Sequence, residues 1–238
     1  MSMLPAAEHK RAAVEAMFDR IAHRYDLMNR LMTFGIDRAW RRATIAALEL
    51  RSNARLVDLA CGTGDLTVEA AGAGARAIGL DVSAGMLREA RGRGAPCEWV
   101  RGDALSLPLR EASCDAVVCG FALRNLTDVA AALGEAARVL KPDGRLALLE
   151  VDTPANSLVR LGHRLYFHRV VPLLGRLLAD RDAYSYLPES VAYLPVESAL
   201  AAMLSRAGFH GIEKRRLSAG VAQLVTARRG YDEGGSRA

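Results

Sequence analysis

A glycine-containing loop that ends in an acidic residue is the first feature of the sequence that could bind a ligand or take part in catalysis. Residues 61–65 read Cys-Gly-Thr-Gly-Asp and directly follow an apolar run. Gly62 and Gly64 carry no side chain, so a ligand can approach the loop backbone closely. A dinucleotide-binding loop would continue to a third glycine, whereas Asp65 would repel a diphosphate and tolerate a cationic ligand. No Gly-Lys-Ser/Thr follows, which excludes a phosphate-binding P-loop.

Two further acids, Asp81 and Asp103, end the next two apolar runs. A carboxylate can accept hydrogen bonds from both hydroxyls of a ribose, and we expect Asp81 to do so. Asp103 would accept from the exocyclic amine of a purine, and Met86 would lie against the purine face. A nucleoside that carries a positively charged amino acid could bind at all three places: the glycine loop with Asp65, Asp81 and Asp103. S-adenosylmethionine fits this description, whereas NAD and ATP do not.

The elements that must position these residues follow from the apolar periodicity. Apolar runs alternate with helix-length segments, which is typical of parallel strands joined by crossover helices. The predicted strands are 55–60, 76–81, 97–103, 114–120 and 145–151, followed by 211–217 and 220–228. Apolar residues at three- and four-residue spacing predict helices within 8–50, and further helices at 155–179, 181–192 and 196–207. The pattern predicts a doubly wound α/β sheet.

Composition narrows the class of protein. The chain has 238 residues, of which 51% are hydrophobic and 25% charged, and this excludes a disordered or fibrous protein. A net charge of +5 raises the question of nucleic acid, but aromatic residues make up only 5%, too few for base stacking, and we predict no such partner. The four cysteines lack metal-ligand spacing, so we expect free thiols and no metal. Without a signal segment or a spanning run of about 18 apolar residues, a cytoplasmic location is expected.

At the level of motifs the chain resembles class I S-adenosylmethionine-dependent methyltransferases. More closely, it resembles the ubiquinone/menaquinone biosynthesis C-methyltransferases of the UbiE/MenG type. The resemblance covers most of the chain, and residues 183–191 (AYSYLPESV) are its most specific segment. The other matching segments are 18–29, 35, 40–41, the cofactor loops, 123–128, 138–146 and 207–209. It implies a Rossmann-like fold: a seven-stranded mixed sheet with N-terminal helices and a helical insertion before the last two strands.

The resemblance also implies how the chain is divided and which residues act. We predict a single methyltransferase domain over 1–230. Its parts are an N-terminal helical cover (8–50), a cofactor-binding core (51–152), a helical acceptor or cap region (153–210) and closing strands (211–229), with a disordered tail at 231–238. The residues predicted to bind S-adenosylmethionine are Tyr25, Asp58, Gly62, Thr63, Gly64, Asp81, Val82, Met86, Asp103, Ala104 and Gly120. Those predicted to bind the acceptor are Phe121, Arg124, Tyr166, Tyr184 and Tyr186.

Arg124 and Asn125 are the predicted catalytic residues. By the resemblance, the acceptor is a prenylated quinol that is methylated at a ring carbon. That carbon becomes nucleophilic when the adjacent phenol, with a pKa of about 10, loses its proton. Arg124 is always cationic and carries a planar fork of donors suited to an oxyanion, and Asn125 could bond the second quinol oxygen. We therefore predict that Arg124 lowers the phenol pKa while a bound water or an acid takes the proton. The structural alternative for Arg124 is a salt bridge to a nearby acid such as Asp128.

The acceptor half departs from the family pattern more than the cofactor half. The serine expected at the end of the fourth strand is Gly120, and a histidine expected near the closing strand is absent. The predicted reaction is conversion of demethylmenaquinol to menaquinol. Two alternatives stay open: methylation of another aromatic or secondary metabolite, at oxygen or carbon, and S-adenosylmethionine binding without catalysis.

A basic segment, 155–179, raises the question of membrane contact. It holds four arginines and two histidines among apolar residues, and no acid. Such a stretch can lie on an anionic membrane, which would suit a lipid-borne acceptor on the inner membrane face. An ordinary solvated helix face is the alternative. Association into a homodimer is a further open prediction.

Overall fold

A computed structural model describes residues 10–166, 169 and 190–231. Within these residues, seven strands form one sheet in the order β3–β2–β1–β4–β5–β7–β6. The strands are β1 (Arg55–Leu59), β2 (Arg76–Asp81), β3 (Glu98–Arg101), β4 (Cys114–Gly120), β5 (Leu140–Val151), β6 (Phe209–Leu217) and β7 (Ala222–Arg229). The helices are α1 (Lys10–Thr33), α2 (Asp37–Ala47), α3 (Asp65–Gly72), α4 (Ala84–Gly92), α5 (Val129–Val139), α6 (Ser157–Leu165) and α7 (Glu197–Arg206).

The order of the strands creates the crevice in which a site can form. Strands β1 to β5 are parallel, and β7 lies antiparallel between β5 and β6. The order reverses between β1 and β4, where the loops after the two strands diverge. In open α/β sheets, ligands bind at this switch point, outside the carboxyl ends of the strands. The predicted seven-stranded mixed sheet is therefore confirmed.

The central strands carry the core. Leu56 and Val57 of β1 and Val117 and Val118 of β4 are fully buried, because helices cover both faces of a parallel sheet. Each such side chain contributes about 1.5–3 kcal/mol to folding when buried. This burial on both faces explains why the strands appear in the sequence as continuous apolar runs.

Several predicted boundaries move for local reasons. The helical segment 8–50 divides into α1 and α2 at Phe34 and Gly35, both of which have positive φ. Strand β5 begins at Leu140 rather than 145, β6 at Phe209 rather than 211, and β7 at Ala222 rather than 220. A tight turn over Ser218–Gly220, with positive φ at each residue, separates the last two strands. Of the predicted helix 155–179 the structure describes α6, and most of the remainder lies outside the described residues.

Helix α1 lies across the edge of the sheet at which the glycine loop stands. Its Asp19 accepts hydrogen bonds from the Ser83 hydroxyl and from the Gly85 backbone N–H at 2.8 Å, which ties α1 to the start of α4. Val14 and Met17 are buried in the same contact. In the part of the chain that the structure describes, no helix is both long and apolar enough to cross a membrane.

Candidate active site

The glycine loop after β1 is held in one conformation by its neighbours. Gly62 and Gly64 have φ of 57° and 85°, values that side chains rarely allow. A Cβ at Gly64 would lie 2.3 Å from the Trp99 ring, so only glycine fits there. The Gly62 N–H donates to Asp81 Oδ2 at 2.8 Å, which links the loop to the end of β2.

Asp81 is buried and is positioned by the backbone. Its Oδ1 accepts from the Ser83 N–H at 2.8 Å, and its Oδ2 accepts from Gly62. Burial raises the pKa of Asp81 against these hydrogen bonds. Each carboxylate oxygen keeps a second lone pair, so the carboxylate can still accept from the two hydroxyls of a ribose. Val82 follows directly, and its carbonyl accepts from Arg101 Nε at 3.0 Å.

Asp58, beneath the loop, is a second buried acid. It accepts a hydrogen bond from the Thr67 hydroxyl at 2.7 Å. Burial raises the pKa of Asp58 to about 7, and the nearby charge of Asp81 adds to the rise while Thr67 opposes it. Asp58 lines the same cleft as Gly62 and Thr63. It can therefore change its protonation state in the neutral range when a charged ligand arrives.

Alternating charges connect α1, α2 and the glycine loop. Arg93 pairs with Asp26 and, at 2.6 Å, with Asp65. Arg41 pairs with Asp65 at 3.1 Å and with Asp37. Asp65 therefore lies between two arginines, which compensate the negative charge expected at this position. With three carboxylates and two guanidinium groups, the network still carries one net negative charge.

The predicted purine contacts lie against α1 in this structure. Arg11 Nη1 is 2.8 Å from Asp103 Oδ2, and the Leu105 N–H donates to Asp103 Oδ1 at 3.0 Å. Met86 is buried with Ile21 from α1, and Ala104 is buried as well. Arg11 is 60% exposed, and exposed pairs contribute only about 0–1 kcal/mol. A purine amine can therefore replace Arg11 at little cost.

Gly120, at the end of β4, borders the cleft. A Cβ there would lie 2.5 Å from Leu66 Cδ1, so Leu66 occupies the space that the family's serine side chain would enter. The next residue, Phe121, has a positive φ and donates its N–H to the Leu149 carbonyl at 2.7 Å. Phe121, Tyr25 and Arg41 line both the cofactor cleft and a larger neighbouring cavity.

The larger cavity has a volume of about 400 Å³ and a mostly apolar wall. It brings together three of the residues predicted to bind the acceptor, Phe121, Arg124 and Tyr166. The Tyr166 hydroxyl donates to the Met32 carbonyl at 3.1 Å. The other two, Tyr184 and Tyr186, lie outside the described residues. Small-molecule sites usually occupy about 300–1,000 Å³, so the cavity can hold a ring system.

Sequence reasoning missed five polar residues of this cavity: Asn29, Thr33, Asp37, Arg41 and Ser218. Asn29 falls in a segment that carries the resemblance, yet no spacing in the sequence indicates that helices α1 and α2 aim these side chains at the end of β4. Ser218 Oγ accepts from Trp40 Nε1 at 2.8 Å, across 178 residues of chain. Only the packing of α2 against the last strands brings the two together.

Arg124 is buried and forms a salt bridge, as the structural alternative proposed, but with Glu150 rather than Asp128. Its Nη1 forms an ion pair with Glu150, and its Nε donates to Ser190 Oγ at 3.1 Å. Burial raises the pKa of Glu150 against the charge of Arg124. Asp128 instead caps α5, accepting from the Ala131 N–H at 2.9 Å, so the suggested Arg124–Asp128 bridge is wrong.

Asn125 follows in the same 3-10 turn, and its amide donates to the Phe121 carbonyl at 3.5 Å. Lys10 Nζ donates to the Arg124 carbonyl at 2.9 Å and to that of Leu126 at 2.8 Å. The loop that bears both predicted catalytic residues is thus tied to the start of α1. Whether Arg124 and Asn125 act in catalysis stays a prediction.

Comparison with known sequences points to one family. The model of the ubiE/COQ5 methyltransferase family matches residues 6–229. Demethylmenaquinone methyltransferase of Roseiflexus castenholzii is 43% identical over 230 residues, 94% of this chain and 97% of that protein. The UbiE C-methyltransferase of Syntrophotalea carbinolica is 42% identical, over 88% of this chain and 91% of that protein. Demethylmenaquinone methyltransferase of Thermus thermophilus is 43% identical, with coverages of 87% and 97%.

Solved structures with lower sequence identity have a similar fold. A SAM-dependent methyltransferase of Thermotoga maritima has a TM-score of 0.62 at 22% identity, covering 91% of this chain and 99% of that one. Phosphoethanolamine N-methyltransferase 2 of Haemonchus contortus, in complex with S-adenosyl-L-methionine, has a TM-score of 0.61 at 15% identity, with coverages of 80% and 52%. Both confirm the predicted Rossmann-like methyltransferase architecture.

Proposed function

The chain belongs to the ubiE/COQ5 methyltransferase family, and on this premise we propose that it methylates a ring carbon of demethylmenaquinol to give menaquinol. The observation that carries the proposal is the position of the 400 Å³ cavity. Tyr25, Arg41 and Phe121 line both this cavity and the glycine-loop cleft. An acceptor ring in the cavity would thus lie directly beside the methyl donor.

The cofactor is S-adenosylmethionine, and when bound it supplies an electrophilic methyl group on a sulfonium. The residues present fit it. Asp81 keeps lone pairs for the ribose hydroxyls, and Asp103 would receive the purine amine. Gly62 leaves the loop backbone open to the methionine end, since only Tyr25 Cε1 would lie within 4 Å of a Cβ there, and Asp58 supplies a nearby carboxylate for its ammonium.

The wall of the acceptor cavity suits a prenylated ring. In-line methyl transfer needs two reactants held in the correct geometry and water excluded, and apolar residues such as Phe121, Trp40 and Val221 do both. Arg124 lines the same wall and is oriented by Glu150. Its remaining donors can hydrogen-bond an oxygen of the quinol and stabilise it as an oxyanion where the phenol is ionised. This role of Arg124 is part of the proposal.

Turnover of defined acceptors tests the function. Purified protein and S-adenosylmethionine are incubated with reduced demethylmenaquinone, with a prenylated benzoquinol, and with a catechol that lacks a tail. We expect product from demethylmenaquinol, with the new methyl group on carbon by NMR. An O-methylated product, or turnover of the catechol alone, would point to another metabolite. Cofactor binding without turnover of any acceptor would point to a binding protein.

We also propose that the protein contacts an anionic bilayer at the mouth of this cavity. Six large apolar side chains are exposed in two segments, and we call them the mouth patch. They are Leu27, Leu31, Phe34, Ile36, Leu161 and Leu165. Phe34 and Ile36 also line the cavity. The Phe34 and Tyr166 rings, 5.5 Å apart, join the two segments.

The charges around the mouth patch favour anionic lipid. Arg30, Arg38 and Arg160 are exposed within two residues of patch members along the chain, whereas Asp37 is buried in an ion pair. Basic residues next to exposed apolar ones match an anionic membrane surface. The contact would use the end of α1 as well as α6. It therefore differs from the predicted contact through 155–179 alone.

Vesicle co-sedimentation tests the mouth patch. We expect the wild-type protein to bind anionic vesicles more strongly than neutral ones, and Phe34→Ser with Leu31→Ser to lower that binding severalfold. Val196→Ser is the matched control, since Val196 is also exposed, at 70%, and lies outside the patch. Equal recovery with neutral and anionic vesicles would refute the contact.

A further inference from the structure

We propose that Asp37 is the catalytic base, which takes the proton of the acceptor hydroxyl during methyl transfer. The inference rests on the proposed function, because it assumes a quinol in the larger cavity. Among the described residues that line this cavity, Asp37 is the only carboxylate, and none is a histidine. Sequence reasoning assigned no base to a named residue.

Asp37 is held as an anion. It is the first residue of α2, and its side chain is only 3% exposed. Thr33 Oγ1 lies 2.7 Å from its Oδ1, and Arg41 pairs with its Oδ2. Burial opposes ionisation, but the Thr33 hydrogen bond and the charge of Arg41 outweigh it and lower the pKa of Asp37. A carboxylate in this state can accept a proton and has none to donate.

A weak base is sufficient for this reaction. A phenol with a pKa of about 10 does not give its proton to such a carboxylate in the ground state. During attack an oxygen electron pair forms a carbonyl bond and the ring π pair forms the carbon–methyl bond. The pair of the broken carbon–sulfur bond stays on sulfur. The hydroxyl then becomes a protonated carbonyl, a far stronger acid, and its proton can pass to Asp37.

The proton balance closes in a second step. The methylated ring carbon still carries its hydrogen, which leaves as a proton to water, and its bonding pair restores the aromatic ring. The carbonyl becomes a hydroxyl again when Asp37 returns its proton. One proton is released overall, and Asp37 ends as it began. The position of Asp37 suits both steps, because its ion-pair partner Arg41 also lines the cofactor cleft.

The pH dependence offers a readout that a purely structural role would not produce. The other titratable or charged groups of the described lining are Tyr25 from α1, Arg41 from α2, Arg124 after β4 and Tyr166 after α6. Burial raises the pKa of both tyrosines above the usual phenol range, and arginine stays charged. Between pH 7 and 10 the group in this cavity that ionises is thus the acceptor phenol itself. A phenolate no longer needs a base.

The experiment compares wild type with Asp37→Asn on demethylmenaquinol from pH 7 to 10. We expect kcat at pH 7 to fall by about 10²–10⁴-fold, with the cofactor Kd and quinol KM changed less than about threefold. The ratio of wild-type to variant kcat should shrink as the pH rises. Asp143→Asn, the same change at an exposed site away from the cavity, should behave as wild type. Asp37→Ala gives a second route, in which added formate restores part of the turnover.

Each contrary outcome has a distinct meaning. If Asp37→Asn keeps a near wild-type kcat, Asp37 is not the base. The same conclusion follows if kcat of Asp37→Asn falls by the same factor at every pH and formate does not restore the turnover of Asp37→Ala. The pH-independent loss would assign it to positioning Arg41 instead. A wild-type protein that does not methylate demethylmenaquinol would overturn the proposed function, and this inference with it. An active wild type with an active variant would overturn the inference alone.

Discussion

The cofactor cleft and the acceptor cavity share three residues but are built in different ways. In the cleft, Asp81 and the glycine loop are held by backbone N–H groups of their own or adjacent loops. In the cavity, side chains from α1, α2 and the ends of β4, β5 and β7 meet through long-range contacts. A site built from local loops is largely encoded in short motifs. In a site built from distant elements, the lining residues can change while the shape of the site is retained.

The largest expected effect is a loss of stability when the buried ion pair in the wall of the cavity is broken. Arg124→Met leaves Glu150 buried without its partner, and we expect stability to fall by about 3–5 kcal/mol. Urea unfolding measures this. The double variant Arg124→Met with Glu150→Gln should recover much of the loss, since the uncompensated charge is gone. If the single variant is as stable as wild type, the pair does not hold this wall of the cavity.

A smaller effect should be confined to the cleft. Asp81→Asn keeps the shape but loses a charged acceptor, and such hydrogen bonds contribute about 1.5–3 kcal/mol. The Kd of S-adenosylmethionine should therefore rise about 10- to 100-fold in calorimetry. Quinol KM at saturating cofactor should stay unchanged. A matching rise in quinol KM would show that the two sites are less separate than their construction suggests.

The smallest expected change in cofactor affinity comes from the protonation of Asp58. Its pKa of about 7 in the folded protein lies above the ordinary value of 3.8, so the folded state binds the proton more tightly than the unfolded state. Stability should therefore decrease as the pH rises from about 4 to 7. A cationic ligand favours the carboxylate, so cofactor affinity should increase severalfold through the same window. Asp58→Asn should flatten both dependences, and an unchanged slope would exclude Asp58 as their source.

The partner of Arg124 illustrates what sequence reasoning could not reach. Along the chain the nearest acid at helical spacing is Asp128, but Arg124 lies in a single 3-10 turn that ends at Asn125, and Asp128 caps the next helix. The partner, Glu150, comes from the neighbouring parallel strand β5. Pairing of β4 with β5 places Gly120 beside Leu149. Such a contact depends on the register between strands, which no local spacing encodes.

Met86 and Asp65 show a similar limit. Both lie near the start of the helices that follow β2 and β1. Their surroundings were not predicted, because α1 packs on Met86 and the arginines of α2 and of the α4 end neutralise Asp65. The packing of an N-terminal helix depends on its whole buried face rather than on any motif.

The sequence by itself determined the alternating strands and helices, the glycine loop and the acids that follow β2 and β3. These depend on local physics: apolar runs buried on both faces, positive φ at glycine, and carboxylates placed by the ends of their own strands. Only the tertiary structure decided that Asp37, Thr33 and Ser218 meet Arg124 around one cavity, that Glu150 holds that arginine, and that α1 lies over Asp103. Those contacts arise from the packing of elements far apart in the chain. Many different sequences can pack in the same way, so no local motif predicts these contacts.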